Sequence, residues 1–255
     1  MRVSRTARPL IAAAIATVAL LACAPLAGAR TLVDLSGTAT PPISFFTLKP
    51  QILSLSVDVR FSTDVADELP GTVTKATIYF PHGPRVNGNL FPSCNPRRLL
   101  QMRGRSVACP KGSRLGTGAA LGTSPQFRGV IEKLTVDVYN GPRGRSILFY
   151  LRGENPVSIS GMIDAPFVPL RGGRWGYRLT MNVPPNLQEI IGGTFASLLR
   201  FTTRVGATVR VHGVRRGYIE ALACPPGALV PVRGVFAFRG GSSASDDSYI
   251  ACGHR

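Results

Sequence analysis

The sequence predicts an all-β protein, folded as an antiparallel β-sandwich of the immunoglobulin-like or jelly-roll-like type. Very little helix is expected beyond an N-terminal leader. Apolar residues alternate with polar ones over many short segments, which is the pattern of strands with one buried face. Glycine and proline, 28 and 21 of the 255 residues, separate these segments. Because no strand–helix–strand alternation accompanies them, the pattern favours an antiparallel sandwich over an α/β fold.

The first 29 residues have the order of a secretory signal peptide. Arginines come first, an apolar run covers residues 10–21, and small residues lead up to Ala29. This order predicts cleavage between Ala29 and Arg30 and export by the general secretory route. The apolar run is shorter than the ~20 residues that span a bilayer, so the mature chain is expected to have no transmembrane span. The alternative is a lipoprotein that is lipidated at Cys23 and held at the cell envelope.

Residues 30–50 are interpreted as an extended N-terminal segment, and residues 51–255 as a single sandwich domain with an alternative split near 123–127. The clearest strand is Gln51–Ser62, where leucine, valine and phenylalanine alternate with polar residues. The other predicted strands are Val73–Phe80, Thr117–Gly122, Val130–Tyr139, Ser146–Arg152, Val157–Ile163, Trp175–Val183, Val205–Val214, Gly217–Leu222 and Val232–Phe238. Asn140-Gly141 predicts a hairpin turn. Asn186–Ile191 carries the best helical signal, good for a turn or two.

Four cysteines follow the leader. In an oxidising compartment this even number predicts two disulfides, for which three pairings exist. Separation along the chain favours Cys94 with Cys109 and Cys224 with Cys252, and the sequence leaves the other pairings open. A metal site is disfavoured because no Cys-x-x-Cys occurs and the three histidines are scattered. No cofactor or metal is expected.

The mature chain is strongly basic. It has twenty-seven lysines and arginines against thirteen acids, a net charge of +14, and residues 69–131 contain no acid. Such a field attracts anionic polymers, and export argues against nucleic acid as the partner. A solvated basic face is the alternative interpretation, since arginine also accumulates in GC-rich genomes. The candidate anion-binding residues are Arg97, Arg98, Arg103, Arg105, Lys111 and Arg114, and the first four lie between the first two mature cysteines.

Three segments carry a resemblance to known proteins. They are Phe91-Pro92-Ser93-Cys94, Ala108-Cys109-Pro110-Lys111-Gly112 and Ala223-Cys224-Pro225-Pro226-Gly227. With the closing Gly240-Gly241-Ser242 and Cys252, they resemble a loose group of secreted, disulfide-containing β-sandwich proteins from GC-rich Gram-positive bacteria. The group has no assigned activity. The resemblance therefore implies a fold and a compartment, and it transfers no catalytic residue.

No hydrolytic motif is present, whether Gly-x-Ser-x-Gly, Ser-x-x-Lys or His-Glu-x-x-His. We therefore expect a non-catalytic, structural or adhesive protein that contacts anionic polymers of the cell envelope. One alternative is a secreted hydrolase or lyase, with Asp164 and a strand-borne His212 as first suspects. Another is a carbohydrate-binding module that uses Trp175, although the register of its strand predicts a core position. Asp246-Asp247 is interpreted as a solvated loop in preference to a calcium loop.

Overall fold

The structure is a computed structural model that describes residues 29–45, 49–127, 129–155, 157–225 and 227–253. The predicted signal peptide up to Gly28, which includes Cys23, lies outside the described residues. His254 also lies outside them. No helix in the described part of the chain is long and apolar enough to cross a membrane.

Strands account for most of the described residues, and the helices are short. The strands are β1 (Thr31–Thr40), β2 (Gln51–Thr63), β3 (Val73–Pro81), β4 (Arg85–Val86), β5 (Arg114–Thr123), β6 (Glu132–Asn140), β7 (Ser146–Gly153), β8 (Ile159–Pro169), β9 (Trp175–Asn182), β10 (Glu189–Ile191), β11 (Thr194–Phe195), β12 (Ser197–Val205), β13 (Thr208–Val211), β14 (Val214–Gly217), β15 (Ile219–Ala221), β16 (Leu229–Phe238) and β17 (Ser243–Ala251). The α-helices are α1 (Pro96–Gln101) and α2 (Pro185–Gln188). Single 3₁₀ turns cover Gly88–Leu90, Ser106–Ala108, Pro125–Phe127 and Pro142–Gly144.

Thirteen strands form one large antiparallel sheet that does not close on itself. The strand order is β17-β16-β3-β9-β8-β7-β6-β5-β12-β2-β15-β4, and β1 pairs with the free side of β2. Two small hairpins, β10–β11 and β13–β14, stand apart from this order. The prediction of a mostly β, antiparallel protein with little helix is confirmed.

The strand β2 connects the N-terminal segment to the rest of the sheet. It pairs with the full length of β1, with Thr31 opposite Thr63 and Thr40 opposite Ser54. On its other side, β2 pairs first with β15 and then with β12. Much of the segment interpreted as extended therefore belongs to the sheet. Small inward residues such as Gly37 and Ala39 weaken the apolar alternation of β1, so the sequence pattern did not predict this strand.

Two edge strands of the sheet come together where β1 lies beside β17. The Leu35 N–H donates a hydrogen bond to the Asp246 carboxylate at 2.8 Å, and the Ile250 side chain lies against Gly37. Among the described residues, no backbone ladder joins these two strands. Asp246 and Asp247 therefore belong to a strand, and the interpretation of this pair as a solvated loop is wrong.

One hydrophobic cluster lines the inner face of the curved sheet. Every second side chain of β2 contributes to it, including Leu53, Val59 and Phe61. The Phe61 ring packs edge-on against Phe236, with 5.1 Å between centroids. Strands from both halves of the chain thus share one core, which is the main source of stability in a fold of this size.

Three local predictions differ from the structure. The predicted strand Gly217–Leu222 is interrupted by a bend at Tyr218, which separates β14 from β15. The range Val205–Val214 is not one strand, because a turn at His212 and Gly213, with φ of 48° and 80°, separates β13 from β14. Left-handed backbone at both positions is what a two-residue hairpin turn requires. The helical signal at 186–191 extends only to Gln188, and residues from Glu189 onward form β10.

Candidate functional site

Two disulfides are present, Cys94–Cys109 and Cys224–Cys252, with Cα–Cα distances of 4.8 and 6.2 Å. This is the pairing that separation along the chain favours. The second bond holds the chain just before β16 to the residue just after β17. The first closes a loop over the outer face of the sheet, and we call residues 94–109 the basic ring.

The basic ring begins with the helix α1. The Asn95 side chain accepts hydrogen bonds from the backbone N–H groups of Arg97 and Arg98, at 3.0 and 3.3 Å, and Pro96 occupies the first helical turn. This is a standard N-terminal cap, and it fixes where the helix starts. Sequence reasoning missed α1 because one and a half turns carry too few apolar positions to show a helical period.

The underside of the basic ring is a small core of its own. Leu99 is fully buried against Leu148 and Tyr150 of β7, together with both cysteines of the ring. Gly104 has a φ of +70°, and a Cβ there would overlap the Tyr150 ring, so only glycine allows this close approach. Burial, and then the nearby Asp137, raise the pKa of Tyr139, whose side chain belongs to this small core.

Asn140 joins Cys94, and the chain on either side of the basic ring, to the sheet. Its carbonyl accepts the Cys94 N–H, and its own N–H donates to the Ser113 carbonyl, both at 2.8 Å. Its side-chain amide donates to the carbonyls of Gly88, Phe91 and Pro92. Asn140 is fully buried at the end of β6. Asparagine before glycine is typical of a turn, so this anchoring role could not be predicted from the sequence.

The upper surface of the basic ring is cationic and faces solvent. Arg97, Arg98, Arg103 and Arg105 are all exposed. No carboxylate of the described residues lies within 4.0 Å of any of these four side chains. The structure therefore brings together the four arginines that the sequence singled out.

The remaining two predicted residues both follow the ring along the chain, and their surroundings differ. Lys111 is exposed in the turn that follows Cys109. Arg114 lies at the start of β5 and forms an ion pair with Asp137. Two apolar side chains also reach the surface within the ring, Leu100 at 48% and Val107 at 66% exposure. The ring thus offers cationic groups interleaved with apolar ones, and Arg114 is locally neutralised.

The residues suspected of hydrolytic chemistry lie apart along the fold. Asp164 is exposed on the outer face of β8, opposite Leu148 of β7. His212 is exposed in the turn between β13 and β14, so its expected strand position is wrong. His82 lies in an exposed bend after β3. In the described part of the chain, no three histidine, cysteine or acidic side chains group in a way that could hold a metal ion.

Trp175 is half-buried and lies outside the hydrophobic core cluster. Its ring centroid is 5.9 Å from that of Tyr79, and the Arg174 guanidinium lies 4.8 Å from it. The register of β3 and β9 shifts between Tyr177 and Trp175, which takes the tryptophan off the inward face. The predicted core position is therefore wrong.

Comparison with known proteins found no match for this chain, whether to a family model, a curated protein or a solved structure.

Proposed function

We propose that this protein is a non-catalytic, extracytoplasmic protein that binds anionic polymers of the cell envelope through the basic ring. The observation that carries the proposal is the set of four exposed arginines on a loop fixed by a disulfide, a capped helix and Asn140. Guanidinium groups bind phosphate and carboxylate oxygens in bidentate pairs. A loop held in one conformation loses little entropy when it binds, so its charges can act together.

The two disulfides support an oxidising compartment outside the cytoplasm. We also propose that the chain is exported by its predicted leader, with cleavage after Ala29 or lipidation at Cys23. We further propose that the sheet forms a sandwich and that the chain belongs to the loose group of secreted β-sandwich proteins. In the alternative functions, Asp164 and His212 would act in a hydrolase, or Trp175 would stack on a sugar. Arg174 beside the Trp175 ring leaves less of that ring for stacking.

Binding to fluorescently labelled polyphosphate at low salt tests the proposal. The fourfold variant Arg97→Ser, Arg98→Ser, Arg103→Ser, Arg105→Ser is expected to lose about 2 kcal/mol of binding free energy, or about thirtyfold in Kd. Added salt is expected to weaken the wild type more than the variant, because screening acts on exposed charges. Fluorescence anisotropy over a salt series measures both effects.

A matched control removes the same charge elsewhere, through serine substitutions of four exposed arginines outside the ring: Arg171, Arg178, Arg210 and Arg215. This control is expected to bind nearly as well as the wild type. Equal losses in the two variants would show that only net charge matters, and the proposal would then be wrong. Binding to anionic lipid vesicles without binding to polyphosphate would also contradict it.

A further inference from the structure

We infer that the space inside the sheet is a binding channel for a single unbranched hydrocarbon chain that carries a hydroxyl at one end. Three cavities lie within the curved sheet, of about 100, 80 and 100 Å³. We call them the proline compartment, beside Pro81 and Pro84, the middle compartment, and the Glu132 compartment. The site is separate from the basic ring, which lies on the outer face.

The three compartments follow one another in order, because each neighbouring pair shares lining side chains. The proline and middle compartments share Val57, Phe80, Phe149, Leu179 and Thr203. The middle and Glu132 compartments share Val73, Ile163, Val183, Leu198 and Phe201. The two outer compartments have no described lining residue in common. A linear occupant fits this arrangement better than a round one.

Burial along β2 shows that the interior is not filled. The inward residues Leu53 and Val59 are fully buried, whereas Leu55 and Val57 between them are only half-buried. Phe201, which faces the same space from β12, is half-buried as well. Protein interiors normally pack to the density of organic crystals, so inward apolar side chains in mid-strand should be fully covered. A ligand would supply the missing contacts.

The lining defines the chemical class of that ligand. Apart from Thr203, the side chains that line the proline and middle compartments are apolar or aromatic. A cavity of about 150 Å³ takes a benzene ring, so the three compartments together have room for about ten carbon atoms. An aliphatic chain of that length has the matching width and chemistry.

The Glu132 compartment supplies a polar end. Glu132 is 5% exposed; one carboxylate oxygen accepts the Val157 N–H at 3.1 Å, and the other has no hydrogen-bond partner among the described residues. An unpaired buried acceptor is unfavourable, and a hydroxyl group can satisfy it by donating. A carboxylate brings only acceptors and would not. The channel is therefore expected to prefer a fatty alcohol over a fatty acid of the same length.

Calorimetric titration of the purified chain with 1-decanol and with decanoate tests the inference. We expect one 1-decanol per chain and at least tenfold weaker binding of decanoate. Shortening the alcohol by one methylene is expected to weaken binding about fourfold, because each buried methylene adds to the hydrophobic contribution. Absence of 1-decanol binding up to its solubility limit would overturn the proposal, as would equal affinities for hexanol and decanol.

Substitutions at two neighbouring residues of β2 distinguish binding inside the channel from binding at the outer surface. Val57→Phe places a larger side chain between the proline and middle compartments and is expected to weaken 1-decanol binding at least tenfold. Ser56→Phe, on the opposite face of β2, is expected to leave this binding unchanged. Ala76→Leu repeats the test in the middle compartment from β3 if Val57→Phe does not fold. Equal weakening by the inward and outward substitutions would overturn the channel.

Glu132→Gln tests the placement of the polar end. The amide keeps the size of the side chain but presents a donor where the unpaired acceptor was. The hydroxyl of 1-decanol can accept from this amide, but the bond is then between neutral groups, so we expect 1-decanol to bind about fivefold more weakly. Decanoate is expected to bind more tightly, so that the preference for the alcohol over the acid narrows or reverses. An unchanged preference for the alcohol would overturn this placement. Thermal melting of each variant confirms that it remains folded.

Discussion

Glu220 is a buried acid, 2% exposed, in the middle of β15. Its carboxylate accepts two hydrogen bonds from the Arg216 guanidinium, at 3.0 and 2.9 Å, and one from the Gly217 N–H at 2.8 Å. Burial alone would raise the pKa of Glu220, but the hydrogen bonds from Arg216, Gly217 and Asn87 outweigh it and hold this pKa below its usual range. This one side chain therefore ties the β13–β14 hairpin to β15.

Glu220→Gln keeps the shape of the side chain and removes its charge. We expect a loss of about 2 kcal/mol in the free energy of unfolding at pH 7, since hydrogen bonds between charged groups are the stronger kind. The control is Glu154→Gln, because Glu154 is 77% exposed and lies 3.7 Å from Arg152. Exposed pairs contribute little, so this control should change stability by less than about 0.5 kcal/mol. Urea unfolding measures both values.

The pH dependence of this effect follows from the lowered pKa. The stabilisation by Glu220 is fully present above the unfolded-state pKa of a glutamate, about 4.3, and is lost as the pH falls through the lower folded-state pKa. The difference between wild type and Glu220→Gln should therefore shrink in acid. A difference that grows as the pH falls toward 3 would contradict this account.

At the scale of elements, Asp246 replaces the missing backbone ladder between β1 and β17. Asp246→Ala leaves the Leu35 N–H without its acceptor at a residue that is fully buried, and we expect a loss of about 2 kcal/mol. Amide hydrogen exchange in β1 should become faster, with Leu35 most affected. Asp247→Ala is the matched control, because that side chain is exposed and pairs with Arg233 at the surface. An unchanged exchange rate at Leu35 would show that Asp246 does not hold β1 against β17.

The elements also show how far the sequence can be interpreted. Strands with bulky inward residues, such as β2 and β9, were predicted to within one residue. Among the strands that were missed, β17 and the second half of β1 hold small or polar residues at most inward positions, and the role of these residues appears only when the partner strand is in place. The four arginines of the basic ring could be named from their spacing between two cysteines. Asn140 and Glu132 could not, since their contacts come from residues distant in sequence.

At the scale of the whole molecule, the sheet separates two chemical environments. Its outer face carries the basic ring, fixed by a disulfide and a small core of its own. Its inner face surrounds an apolar space that the chain's own side chains do not fill. The two sites share no described residue, so the loss of one by substitution should leave binding at the other intact. A ring variant that no longer binds polyphosphate should still bind 1-decanol.

The proposed function requires that the basic ring itself contacts anionic polymers. The most direct measurement is NMR mapping of backbone amides in the isotopically labelled protein as polyphosphate is added at low salt. We expect the largest shifts within residues 95–108 and at Lys111, and little change in the equally exposed, arginine-bearing hairpin β13–β14. Shifts spread evenly over exposed arginines, or centred on that hairpin, would contradict the account.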